Sequence, residues 1–132
     1  MITVSAIVFV REDGRVLTVR KRGTTRWMLP GGKPEAGERA IDTAVREVHE
    51  ELGIEIAPEE LELLGAFDSH AANEAGQGLR ATVFTTRRVV DPVVQAEIDE
   101  LRWVDPADRD PDQAPLNLEV VFPILTGTAR RS

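Results

Sequence analysis

The stretch from Glu38 to Leu52 constrains this chain more than any other. Its apolar residues Ile41, Ala44, Val45, Val48 and Leu52 fall at i, i+3, i+4, i+7 and i+11, the stripe of an amphipathic helix, and Gly53 is placed to stop it. Away from most of that stripe, Glu47, Glu50 and Glu51 stand at i, i+3 and i+4, so three carboxylates project from one side. Like charges at this spacing cost roughly 0.2–0.5 kcal/mol per pair, and near a helix C-terminus the dipole favours cations instead. One account is a solvated face, helped by the i,i+4 pairs Asp42 with Arg46 and Arg46 with Glu50. The other is a site for a hard divalent cation such as Mg²⁺ or Mn²⁺, which takes oxygen ligands from carboxylates, backbone carbonyls and phosphates. The Pro30, Gly31, Gly32 break just upstream exposes backbone to serve it. Spacing alone leaves both open.

Around this helix the chain reads as strands. Ile2 to Val10 alternates at first and then runs continuously apolar, as a strand increasingly covered on both faces would. Asp13 and Gly14 form a turn signal, which predicts that Val16 to Arg20 pairs back on the first strand as a hairpin. Further strands are expected at Leu63 to Phe67, Ala81 to Val90 and Leu101 to Val104, with an exposed loop from Asn73 to Gly78. Leu116 to Leu125 reads as a second short helix that Pro123 would kink or end. Strands on either side of a first helix, then more strands and a last helix, imply a mixed sheet sandwiched between helices, an α/β (α+β) arrangement. With 132 residues and neither repeat nor linker, residues 1–132 are expected to form one domain.

Composition narrows the partners. Sixteen Lys plus Arg against 23 Asp plus Glu leave a formal net charge of −7, which argues against a basic surface for nucleic acid polymers or anionic membrane and favours small ligands. The chain has no cysteine, so any metal must bind oxygen or imidazole, and a reducing cytosol suits it. No apolar stretch approaches the roughly 20 residues of a membrane span. The expected setting is soluble and cytoplasmic.

A longer pattern separates the two accounts of the glutamates. Gly32, Glu38, Arg46, Glu47, Val48, Glu50, Glu51, Gly53 and Ile54 resemble the Nudix box at every position over residues 32–54, and the segment Trp27 to Lys33 looks like MutT-type members. At roughly 5–7% usage per residue, its seven fixed positions would match by accident on the order of once in 10⁸ starting points. The resemblance implies a Nudix-type mixed sheet between helices (α/β/α) and metal-dependent hydrolysis of a nucleoside diphosphate linked to another group. It implies Glu50, Glu51 and the Gly31 carbonyl as metal ligands, and Glu47 as a further ligand or the group that orients water. Arg46 is implied to position Glu47, while Gly32, Glu38 and Gly53 support the motif, Glu38 from the helix start and Gly53 as its stop. The implied cofactor is Mg²⁺ or Mn²⁺.

Outside the box the resemblance implies a later glutamate as base or extra ligand. Glu97 fits better than Glu100, with Asp99 third, because it lies several residues before Trp103. Arg20, Arg22 and Lys33 flank the glycine loop and are candidates for phosphate. Asn117 resembles the asparagine that reads a purine edge in MutT-like proteins, where an amide can pair donor and acceptor, and a helix cap is its alternative role. His49 and His70 read as incidental, and Trp27 and Trp103 as packing residues. Lacking any tyrosine, and any proline between Pro58 and Pro92, the chain misses features of dinucleoside polyphosphate and ADP-ribose members. A nucleoside triphosphate diphosphatase that releases the monophosphate and pyrophosphate therefore leads. An ADP-ribose or other nucleotide-sugar pyrophosphatase and a non-catalytic nucleotide sensor are the alternatives. Related folds leave a homodimer open, and no exposed apolar helix face marks an interface.

Overall fold

A computed structural model describes residues 1–72, 74 and 76–127. In chain order the elements are β1 (Ile2–Phe9), β2 (Val16–Lys21), β3 (Gly31–Gly32), α1 (Ala40–Leu52), β4 (Glu62–His70), β5 (Gly78–Thr86), β6 (Ile98–Val104), a π-helical segment Leu116–Val121 and α2 (Phe122–Thr126). A mixed sheet in the order β3-β1-β5-β4 holds one parallel pair, β1 with β5, and a two-stranded antiparallel ribbon pairs β2 with β6.

Both faces of β1 are covered, as its apolar run predicts. Ile7 and Phe9 pack with Ala44, Val48 and Leu52 of α1, while Ala6 and Val8 pack with Leu116, Val121 and Phe122 on the opposite face. Helical segments therefore flank the main sheet on both sides. Burying side chains such as Leu52 or Val48 contributes about 1.5–3 kcal/mol each, so the stripe clamps the carboxylate helix to the sheet.

The predicted hairpin is where expectation and structure part. The turn itself forms, with Gly14 at φ +87° and Arg11 donating its N–H to the Arg15 carbonyl at 2.8 Å, but pairing ends after the Val10–Val16 bridge. Because β1 already has β3 on one edge and β5 on the other, no edge remains for β2, which peels away to β6. Of the expected loop from Asn73 to Gly78, Asn73 and Ala75 lie outside the described residues, and Glu74 and Gly76 are exposed. Helix α1 begins at Ala40, two residues later than predicted, so Glu38 stands outside it.

Near the C-terminus the chain takes a wide turn in which Phe122 donates its N–H to the Asn117 carbonyl, five residues back. Pro123 follows in the first turn of α2, where its missing N–H is tolerated. The helix is thus widened ahead of the proline. No helix among the described residues is long and apolar enough to cross a membrane.

Candidate active site

Arg46 organises the loop and helix around itself. Its Nε and Nη2 donate to the two carboxylate oxygens of Glu38, each at 2.9 Å, Nη2 also reaches the Lys33 carbonyl at 3.0 Å, and Nη1 reaches Glu47 Oε1 at 3.0 Å. Glu38 further accepts the Glu35 N–H at 3.0 Å and the Thr43 hydroxyl at 2.7 Å. Arg46, with these two donors, holds the Glu38 carboxyl down at about 2. A bidentate guanidinium therefore ties the 33–38 loop to the middle of α1.

At the far end of α1, Gly53 adopts φ +66° and donates to the His49 carbonyl at 3.0 Å, a left-handed stop. The last helical carbonyls do not face water. Val93 donates to the Leu52 carbonyl and Gln95 to that of Glu51, each at 2.9 Å. The segment leading to Glu97 is thereby stitched to the end of the carboxylate helix.

Two glycines let the helix approach the sheet. A Cβ on Gly31 would run into the Ser5 carbonyl oxygen and come within 2.7 Å of Ala6 Cα, so β3 could not lie against β1. A Cβ on Gly32 would strike the Glu47 carboxylate, with Oε2 at 2.6 Å. Glu51, only 3% exposed, accepts the Gly31 N–H at 3.1 Å. Burial pushes its carboxyl up to about 8, the Glu47 charge adds to that, and the Gly31 N–H opposes it. Burial raises Glu47 as well, against the pull of Arg46.

These groups line a cavity of about 480 Å³. Its lining combines Glu47, Glu51 and Glu97 with Lys21 and Lys33, and the apolar Val4, Met28, Leu29 and Leu116 with Asn117. His70 reaches the rim from the end of β4. The carboxylates of buried Glu51 and half-buried Glu47 supply oxygen donors of the kind a hard cation takes. Among the described residues, however, no three acidic or histidine side chains converge tightly enough to hold an ion by themselves. Glu50 is half-exposed and turned to Arg46, 3.3 Å away, outside the cavity wall. The Gly31 group that the fold engages is its N–H.

Several expected residues are redistributed. Arg20 and Arg22 do not line the cavity. Arg20 is bound to Asp99 at 2.6 Å, to Glu100 and to the Thr24 carbonyl at 2.8 Å, because strand alternation turns it to the ribbon. Lys21, passed over in the sequence, takes their place at a register shift of β2. Its signal was the alternation itself, one residue from each arginine. Glu97 reaches the cavity while Glu100 is held by Arg20. Lys33 is on the wall, 3.9 Å from Glu74. Trp27 is buried beneath Arg102, 4.3 Å from the ring centre, and Trp103 packs against the core with Arg11 over it at 4.9 Å. Asn117 is fully buried, and its Nδ2 donates to the Trp27 carbonyl at 3.2 Å and to Gln113 Oε1 at 2.9 Å. Both its N–H groups are thus occupied, which removes the donor half of the expected purine-edge pairing.

A carboxylate helix gripped by its own leading loop, laid beneath a glycine strand of a mixed sheet, defines an α+β domain built around a loop–helix–loop site. The NUDIX domain family matches residues 1–122, and the chain belongs to that family. It is 32% identical over 117 residues to an RNA pyrophosphohydrolase from Halorhodospira halophila, covering 75% of this chain and 64% of that protein. It is 46% identical over 54 residues to a MutT-like protein from Streptomyces ambofaciens, covering 41% of this chain and 35% of that protein. The chain thus spans less than two thirds of the length of these relatives. Its fold matches the crystal structure of a MutT protein from Methanosarcina mazei Go1 with a TM-score of 0.77 at 23% identity, covering 98% of this chain and 96% of the other.

Proposed function

We infer that this protein is a metal-dependent diphosphatase that cleaves a nucleoside diphosphate linked to a further group, and that its substrate class is the nucleoside triphosphates. Water attacks at phosphorus, and the bond to the departing pyrophosphate breaks, leaving the monophosphate. The observation that carries this reading is the cavity, whose lining brings the carboxylates of Glu47, Glu51 and Glu97 and the amines of Lys21 and Lys33 together with the apolar Val4, Met28, Leu29 and Leu116. Its volume, about 480 Å³, suits one nucleotide.

Glu47, Glu50, Glu51 and the Gly31 backbone would hold Mg²⁺ or Mn²⁺, and such an ion, when bound, neutralises phosphate charge and lowers the pKa of water. Lys21 and Lys33 meet phosphate oxygens that would otherwise face only carboxylates. Glu97, on the same wall, takes the proton of the attacking water. Arg46 keeps Glu47 in place, acting through it rather than on the substrate. The apolar wall receives the base. The cysteine-free composition fits a cytosolic setting.

The test is product analysis by chromatography with Mg²⁺ or Mn²⁺ on canonical and oxidised nucleoside triphosphates, ADP-ribose, dinucleoside polyphosphates and RNA bearing a 5′-triphosphate. The expected result is monophosphate and pyrophosphate from a free triphosphate, lost on Glu51→Gln and Glu50→Gln. Turnover confined to ADP-ribose or to RNA ends would replace the substrate class. Binding without turnover across the panel would favour the sensor reading.

A further inference from the structure

Ala96 is the only residue other than glycine with a positive φ among the described residues, at +53°. The left-handed region crowds a Cβ, and Ala96 is exposed, so no packing of its methyl group offsets that crowding. Hydrogen bonds hold it there instead. It is the second residue of a turn from Gln95 to Ile98, closed by the Ile98 N–H on the Gln95 carbonyl at 3.1 Å. Positive φ at the second residue and not at the third is the pattern of a type II′ turn, whose second position favours glycine. Glu97 is the third residue.

Both sides of this turn are tied to residues of the cavity. On entry, Gln95 donates its N–H to the Glu51 carbonyl at 2.9 Å. On exit, buried Ile98 pairs with Lys21, and the Glu97 carbonyl accepts the Arg22 N–H at 2.8 Å. Glu51, Lys21 and Glu97 all line the cavity. Burial and Glu47 raise the Glu51 carboxyl, and the Glu97 charge adds to them, so the two carboxylates lie within electrostatic reach. Positive φ at 96 lets the chain leave the end of α1 and join β2 within four residues. Backbone strain of this kind persists only where its surroundings over-determine it, and it gathers at functional positions.

We propose that Ala96 is a positioning residue, which by holding the left-handed turn fixes Glu97 at the cavity wall that Glu51 and Lys21 share. This rests on the reading of Glu97 as the group that takes the proton of the attacking water, and adds what aims it. Ala96 touches neither substrate nor water and acts through Glu97.

The experiment compares Ala96→Gly, Ala96→Val and Ala96→Asn by melting and amide exchange of the metal-free protein, and by steady-state hydrolysis of the triphosphate turned over fastest, with Glu97 and with Glu97→Gln. Glycine accepts positive φ, so Ala96→Gly should melt at or above wild type. A β-branched residue rejects it, so Ala96→Val should speed exchange of the Ile98 and Arg22 amides, which hold the turn. It should also lower kcat at least about tenfold with KM within about twofold. Asparagine, close to valine in bulk but tolerant of the left-handed region, should recover most of that rate. In the Glu97→Gln background Ala96→Val should change kcat by less than about twofold, which a general loosening of the fold would not do. The same loss in both backgrounds overturns the proposal, and so does a folded Ale96→Val with wild-type exchange. A lower melting temperature for Ala96→Gly overturns it even if Ala96→Val fails to fold. Full turnover in Glu97→Gln with the exchange result intact would instead overturn the reading of Glu97 as proton acceptor and leave Ala96 as the residue that sets its place. A wild type that turns over no triphosphate overturns the diphosphatase reading, while the melting and exchange measurements still decide this one.

Discussion

Adjacent glycines, Gly31 and Gly32, face different obstacles and should fail differently. Alanine at 31 would push backbone against backbone, at Ser5 and Ala6, so β3 must leave β1. We expect a loss of about 2 kcal/mol or more, read as a lowered melting temperature. Alanine at 32 meets only the end of the Glu47 side chain, which can swing aside. Its melting temperature should stay near that of wild type while turnover falls at least about tenfold; equal destabilisation by both substitutions would contradict this. Protonation offers a second test at the same scale. Burial lifts Glu51 to about 8 in the folded protein, whereas an unfolded glutamate titrates near 4.3. Between those values the folded state binds the extra proton, so metal-free stability should fall as pH rises from about 4.5 to about 8 and level off above. Glu51→Gln should remove that part of the slope in melting scans from pH 5 to 9, and parallel profiles for the two proteins would refute it. Glu38 has the opposite sign. Held at about 2 by Arg46, it contributes stability above its unfolded pKa that is lost as pH falls toward 2.

Helix α1 carries the site because both its ends are anchored to segments that hold other site residues. Arg46 binds the leading loop from within the helix, and Gly53 admits the segment that caps the last carbonyls and leads to Glu97. Gly53→Ala would combine a left-handed φ of +66° with a contact at 2.6 Å to Gln95 Nε2. We expect about 1–2 kcal/mol of destabilisation, together with faster amide exchange in residues 93–97, the segment it displaces. Unchanged exchange there would show that the cap does not position Glu97. This element was largely legible beforehand: the 3.6-residue stripe and the terminating glycine depend on local geometry. Its start was not, because Glu38 looks like a first-turn carboxylate until Arg46, eight residues on, is seen to claim it. The π-helical turn at Leu116–Val121 was equally hidden, since Pro123 signals a break without saying how the preceding turn absorbs it.

Over the whole molecule, the cavity is bounded by β1, β2, β3, α1, the segment before β6 and the C-terminal helical turn, so a ligand there should couple to global stability. Mg²⁺ or Mn²⁺ should raise the melting temperature, more strongly at pH 8.5 than at pH 6 because Glu51 must lose its proton to bind. A shift of equal size in Glu51→Gln would place the ion elsewhere. The sequence by itself determined what depends on short-range periodicity and residue chemistry: the amphipathic helix, its stop, the strand content and the family to which the loop–helix–loop pattern belongs. Only the tertiary structure decided which strand edges were free, sending β2 to β6 because both edges of β1 are taken. It alone showed that Lys21 rather than Arg20 reaches the cavity, and that Asn117 is fully buried with both N–H groups engaged. These outcomes turn on partners up to 90 residues apart, such as Trp27 and Asn117, and a spacing pattern carries no record of which distant edge, charge or carbonyl is already occupied.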